Sequence, residues 1–182
     1  MKIGLNENCT SSRFFPHWNN GTGEQVTGFI QFLEKCRQIT GDRSLFVEIG
    51  ANVGESCLLA SAFDFIETVV SIDPFGEYQF EDYKKRTRHC SRTYIRNKSE
   101  AVANKFSDSE IDILYVDGDH SYESVSRDLE LYHPKIKEGG VLGGHDYGKA
   151  HPETIKAVDE FCEKNDLQID STFIDSSFLI IK

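Results

Sequence analysis

Short, nearly unbroken apolar runs alternate with amphipathic stretches through most of this chain, and few folds tolerate that order. Leu45–Ile49, Thr68–Ile72 and Ile111–Val116 lack the polar–apolar alternation of a half-exposed strand, as expected of strands covered on both faces. Between them apolar residues recur at helical spacing. Val26, Phe29, Ile30 and Leu33 predict a helix over 24–39, and Leu58, Leu59, Ala62 and Phe63 mark another. A polar helix is expected at 77–89, a weak strand at 93–95 and a short helix at 99–106. Val125, Leu129, Tyr132 and Ile136 predict a further helix, broken by Gly139-Gly140 before a strand at Val141-Leu142. Pro152 suits the first turn of a helix whose buried face is Ile155, Val158, Phe161 and Cys162. Ile169–Ile174 and Phe178–Ile181 are separated only by Asp175-Ser176-Ser177, which predicts a hairpin. Strands alternating with helices imply a mostly parallel sheet with both faces covered, and the hairpin adds an antiparallel edge. Residues 24–182 read as one domain. Residues 1–23, with Arg13–Trp18 ahead of Asn19–Gly23, read as an N-terminal strap or a lid.

Charge and composition narrow the partners. The 182 residues carry a formal net charge of −10, which disfavours a phosphate backbone or an anionic membrane surface. No apolar run is long enough to span a bilayer, and the first residues lack the apolar core of a signal peptide, so a cytoplasmic location is expected. Cys9, Cys36, Cys57, Cys90 and Cys162 show no Cys-x-x-Cys spacing and read as free thiols.

In an open parallel sheet, ligands bind beyond the carboxyl ends of the strands. Four such ends stand out. Glu48-Ile49-Gly50-Ala51-Asn52-Val53-Gly54-Glu55-Ser56 places two glycines in a strand-to-helix turn, where a ligand can approach the backbone and Ser56 can donate. Taken alone it is equally a plain turn. Asp73 ends the second strand, where a carboxylate accepts ribose hydroxyls; the alternative is a capping acid. A dinucleotide site would want Gly-x-Gly-x-x-Gly, but Asn52 and Glu55 depart from that pattern, and an acid opposes a pyrophosphate. A cofactor with one ribose, a charged amino-acid tail and no phosphate fits better, as in S-adenosylmethionine. Asp117-Gly118-Asp119-His120 and Gly143-Gly144-His145-Asp146-Tyr147 end the two following strands. Asp117, His145 and Asp146 could converge on a divalent ion, Mg²⁺ or another. A hydrogen-bonded loop pair with a structural His145 is the alternative. His89 and His133 read as surface residues, and Tyr78–Arg88 as a solvated helix face.

Phe46–Ser56, Ser71–Pro74 and above all Ile111–Tyr147 resemble the class I S-adenosylmethionine-dependent methyltransferases, specifically small enzymes carrying Val-Asp-Gly-Asp-His-Ser-Tyr-Glu and Gly-Gly-His-Asp-Tyr. Sugar and antibiotic O-methyltransferases are relatives. The resemblance implies a Rossmann-like, doubly wound, seven-stranded sheet. It implies that Gly50, Asn52 and Ser56 hold the methionine moiety, that Gly54 belongs to the same cofactor-binding loop, that Glu48 shapes this loop, that Asp73 binds ribose and that Ser99 lies near adenine. Asp117 would face the sulfonium end and serve as a metal ligand with His145 and Asp146, although relatives usually carry acids or an acid–amide pair where His145 stands. His120 occupies the place of a catalytic base, and an imidazole can take a hydroxyl proton near neutral pH; its alternative is a capping residue. The acceptor implied is a sugar or other small hydroxylated metabolite. Its site is open or completed by a second subunit in a homodimer. A non-catalytic nucleoside-binding module and a nicotinamide dehydrogenase remain the alternative functions.

Overall fold

The computed structural model describes Trp18 and residues 23–182. In chain order the elements are α1 (Glu24–Thr40), β1 (Ser44–Ile49), α2 (Glu55–Ala60), β2 (Ile66–Asp73), α3 (Glu77–Arg86), β3 (Arg92–Arg96), β4 (Ile111–Val116), α4 (Tyr122–Tyr132), β5 (Ile136–Gly144), α5 (Pro152–Asn165), β6 (Ser171–Thr172) and β7 (Phe178–Ile181). The seven strands form one sheet in the order β3-β2-β1-β4-β5-β7-β6. The first five are parallel, whereas β7 runs antiparallel to both β5 and β6. The doubly wound, Rossmann-like expectation is met. Strand order reverses between β1 and β4, so a crevice opens beyond Ile49 and Val116.

Side chains alternate across the sheet and feed two cores. On one face Phe46, Ile113, Tyr115, Val141 and Leu179 meet α1 and α2. On the other Val47, Leu114, Leu142 and Ile180 meet α4 and α5. Phe29 centres the first core, edge-on to Tyr115 at 5.0 Å and to Trp18 at 5.2 Å between ring centroids. The Tyr115 hydroxyl lies 2.8 Å from Ser177 Oγ, which in turn donates to Asp175 Oδ2 at 2.9 Å. That chain ties the central strand to the turn before β7. Of the proposed strap or lid only Trp18 is described, and the remainder lies outside the described residues.

Several element boundaries differ from expectation for identifiable reasons. The expected helix through Ile136 ends at Tyr132, because Pro134 has no N–H to continue the helical ladder and the chain passes instead through a 3₁₀ turn at His133–Lys135. Ile136 already belongs to β5, and Gly139-Gly140 lies inside that strand; Gly139 at φ 72° sits in a bend rather than a break. Ala62 and Phe63 follow α2 in a turn, and residues 99–106 resolve into two short 3₁₀ turns. Only Ser171–Thr172 of 169–174 pairs, leaving Ile174 exposed at the sheet edge. His133 is not a plain surface residue: its ring meets Phe161 edge-on at 5.3 Å, and its Nε2 is buried. His89 is exposed, as expected.

Replacing Ser177 with Ala orphans the buried Tyr115 hydroxyl and one oxygen of Asp175. The expected loss is about 1–3 kcal/mol of unfolding free energy, read from the urea midpoint at unchanged m-value. A variant as stable as the wild type would show that the chain contributes nothing.

Candidate active site

At the strand-order switch the backbones of β1 and β4 nearly touch. Gly50 adopts φ 92°, and a Cβ there would lie 2.0 Å from the Asp117 carbonyl oxygen. Only glycine fits. Gly50 N–H donates to the Ile72 carbonyl at 2.9 Å, and Asp117 N–H donates to the Ile49 carbonyl at 2.8 Å. Three strand ends are thereby tied together beneath a cleft of about 530 Å³, within the range of small-ligand sites.

The cleft gathers most of the expected cofactor residues. Gly50, Asn52, Ser56, Asp73, Ser99 and Asp117 all line it. Glu48 and Gly54 are placed otherwise. Glu48 is buried behind the loop, where the hydroxyls of Ser56 and Ser71 donate to its two carboxylate oxygens. Gly54 packs against Tyr83 and Thr87, and a Cβ there would meet both at 2.8 Å. These two residues shape the wall without facing the cleft. Asp73 Oδ2 accepts from Asn52 N–H at 2.9 Å, and its Oδ1 accepts from Phe75 N–H at 2.6 Å. It caps a turn and also lines the cleft; each oxygen retains a lone pair for a further donor. Glu55 is buried and lines the cleft, where its charge opposes a pyrophosphate.

The loops after β4 and β5 lie side by side, as expected, and Asp146 is their hub. Its Oδ2 lies 2.8 Å from His120 Nδ1, and its Oδ1 lies 2.9 Å from His145 Nδ1 and 3.4 Å from His151 Nε2. Asp117 Oδ1 is 3.7 Å from His145 Nδ1. Burial alone would raise the Asp146 carboxyl, but hydrogen bonds from His120 and His145 hold it well below the usual carboxylate range. Burial works against a charge on His145, yet its bond to Asp146 and the field of Asp117 raise it to about 9. Enclosure raises Asp117 to about 7, even with His145 nearby. The hydrogen bond to Asp146 raises His120. With Nδ1 committed to Asp146, His120 presents Nε2 as its second nitrogen, and the residue lines the cleft. It does not act as a cap for Asp119, whose carboxylate instead accepts from Ser121 N–H at 3.0 Å.

Two residues escaped the sequence reading. Asp128 lines the cleft, nearly buried, and accepts the Ser99 hydroxyl at 2.5 Å; burial raises it to about 6. An acid on the Val125–Leu129–Tyr132 face of α4 was the available signal. His151 could not have been placed, because only the fold carries it to Asp146.

This architecture, a glycine turn at the switch point with a ribose-competent acid on the next strand, defines a nucleoside-cofactor domain of the class I methyltransferase type. Residues 47–147 match the family model described as "Methyltransferase domain", and the chain belongs to that family. An uncharacterized protein, R132, of Acanthamoeba polyphaga mimivirus is 30% identical over 132 residues, covering 65% of this chain and 59% of its own length. The chain thus spans under two thirds of that relative. A Staphylococcus aureus structure assigned provisionally as a caffeoyl-CoA O-methyltransferase superposes with TM-score 0.70 at 16% identity, covering 97% of this chain and 93% of its own. The O-methyltransferase NovP gives TM-score 0.67 at 23% identity, covering 84% and 80%. At such identities these structures speak to fold. Membership of a methyltransferase family implies S-adenosylmethionine as the cofactor and weighs against a nicotinamide dehydrogenase. Among the described residues no helix is long and apolar enough to cross a membrane.

Glu48 generates a pH-dependent prediction. Burial raises it from 4.5 to about 7, with the two serine hydroxyls partly offsetting the shift. Both states are protonated below pH 4.5, so the full stability is present there; it is lost as pH rises to about 7, because the unfolded chain ionises first. At ~1.4 kcal/mol per pH unit the window corresponds to about 3 kcal/mol. In ligand-free protein, Glu48→Gln should therefore melt above the wild type at pH 8 and close to it at pH 4. A variant less stable than the wild type at pH 8 would show that the ionised carboxylate is the preferred form.

Proposed function

We propose that this protein transfers a methyl group from S-adenosylmethionine to a hydroxyl of a small acceptor, a sugar or another hydroxylated metabolite. The observation that carries the reaction is the Asp146–His120 pair at the cleft. His120 Nδ1–H donates to Asp146 Oδ2 at 2.8 Å, so in the neutral imidazole the lone pair lies on Nε2, at the cleft where the acceptor would lie. Methyl transfer to oxygen needs the hydroxyl deprotonated as it attacks, and His120 accepts that proton. Asp146 fixes the tautomer and balances the imidazolium that forms.

The cleft residues suit the cofactor. Gly50 and Asn52 leave the backbone open to the methionine moiety, and Ser56 lies beside them with its hydroxyl tied to Glu48. Asp73 takes the ribose hydroxyls, and Ser99 with Asp128 borders the adenine. Asp117, at the end of β4, faces the sulfonium-bearing end. When bound, S-adenosylmethionine supplies an electrophilic methyl on a positively charged sulfur, which a nearby carboxylate favours electrostatically.

Asp117, His145 and Asp146 offer ligand atoms within 4.8 Å of one another, a donor set of two carboxylates and one imidazole that fits Mg²⁺ or Mn²⁺. Such an ion supplies charge that lowers the pKa of a hydroxyl beside it. NovP, an O-methyltransferase by name, supports oxygen as the acceptor atom, and the net charge of −10 disfavours nucleic acid.

S-adenosylmethionine and S-adenosylhomocysteine should each raise the melting temperature, NAD should not, and Gly50→Ala should abolish the response. Stabilisation by NAD alone would sink the assignment. A panel of sugars, phenols and amines, read by S-adenosylhomocysteine release, identifies the acceptor. With it in hand, His120→Ala should lose about 10²–10⁴-fold in kcat at unchanged cofactor affinity. Near-wild-type turnover removes His120 from the mechanism, and turnover indifferent to EDTA removes the Asp117–His145–Asp146 ion.

A further inference from the structure

Asp146 gathers three imidazoles, and the third has no part in the reaction above. His151 places Nε2 3.4 Å from Asp146 Oδ1, and its ring lies 5.1 Å from that of His120, inclined at 61°. His120, Asp146 and His151 each offer a ligand atom, and the three lie within 4.8 Å of one another. Local structure holds them there. Gly148 N–H donates to the Asp146 carbonyl and His151 N–H to the Gly148 carbonyl, each at 2.9 Å, and Pro152 starts α5 immediately afterwards. The two imidazoles are 47% and 38% exposed whereas Asp146 is 12%, so an ion can enter from solvent and meet a sheltered carboxylate.

The donor set differs from the neighbouring one. Asp117, His145 and Asp146 supply two carboxylates and one imidazole; this outer trio supplies one carboxylate and two imidazoles. Mg²⁺ prefers oxygen ligands, whereas imidazole pairs suit borderline first-row ions. Three protein ligands leave further positions to water. We propose that His120, Asp146 and His151 form a second cation site, selective for Zn²⁺ and similar ions over Mg²⁺, and that its occupation switches methyl transfer off.

The inhibition follows from proton bookkeeping. A neutral imidazole carries one ring N–H and one lone pair. In the metal-free pair the hydrogen sits on His120 Nδ1 and the lone pair on Nε2. An ion at Nδ1 takes the lone pair there, so the hydrogen moves to Nε2, which can then donate but no longer accept a proton. This inhibitory half rests on His120 being the base; the binding half does not.

The test titrates the full chain with Co²⁺ in excess Mg²⁺, followed by visible absorption, and repeats the titration with Zn²⁺ by calorimetry. The wild type should bind the ion. His151→Ala should bind at least tenfold more weakly at unchanged S-adenosylmethionine affinity, and His145→Ala should retain the ion, which separates this site from its neighbour. Zn²⁺ should stop turnover of the wild type, and His151→Ala should need at least tenfold more Zn²⁺. Equal Co²⁺ affinity in wild type and His151→Ala, or none in the wild type, overturns the site. Binding that depends on His151 but leaves turnover untouched upholds the site and overturns His120 as the base.

Discussion

The near-contact between Gly50 and the Asp117 carbonyl governs the rest of this molecule. Adjacent parallel strands whose following segments depart to opposite faces leave a crevice between their ends, and here it forms between β1 and β4. Any side chain on Gly50 would push those ends apart by occupying the space beside the Asp117 backbone. With hydrogen at that position, the backbone of the glycine turn lies flush with the start of the Asp117–His120 loop. Asp73 reaches across from β2 to hold Asn52, so the third strand end is drawn into the same wall. The cleft-lining residues and the proposed reaction centre are therefore parts of one sheet edge.

Burial and charge pairing set the protonation of the acids along that edge. Glu48 and Asp117 are both raised towards neutrality by enclosure, whereas Asp146 stays ionised because imidazoles surround it. One carboxylate serving His120, His145 and His151 makes the two loops a single electrostatic unit. Altering any member shifts the proton or cation balance of the others, so single substitutions here should not be additive. The same sharing allows one acid to belong to two donor sets of different character.

Much of the architecture was legible because buried strands and amphipathic helices write their periods directly into residue order. β4 was expected at the boundaries observed, and α1 within one residue at either end. Errors fell where local signals compete. Gly139-Gly140 reads as a break, yet a glycine at positive φ is equally at home in a bent strand, and Pro134 had already ended the helix. The stretch 169–174 has strand-like residues, but only Ser171 and Thr172 form ladder pairs with β7. The site divides in the same way. Gly50, Asp73, Asp117 and His120 could be picked out because each ends a strand or follows one. Asp128 hid within a helical pattern, and His151 within a loop without periodicity.

Residue order alone was sufficient for the parallel α/β class, for the strand ends that carry polar chemistry, and for the family resemblance, since these depend on local periodicity and short contiguous motifs. Folding was needed to show that Glu48 and Gly54 stand behind the cleft, that Ser99 is paired with Asp128, and that three histidines share Asp146. Those facts are distances between residues remote in sequence. They arise from the packing of strand-following loops along one sheet edge, which no local pattern encodes.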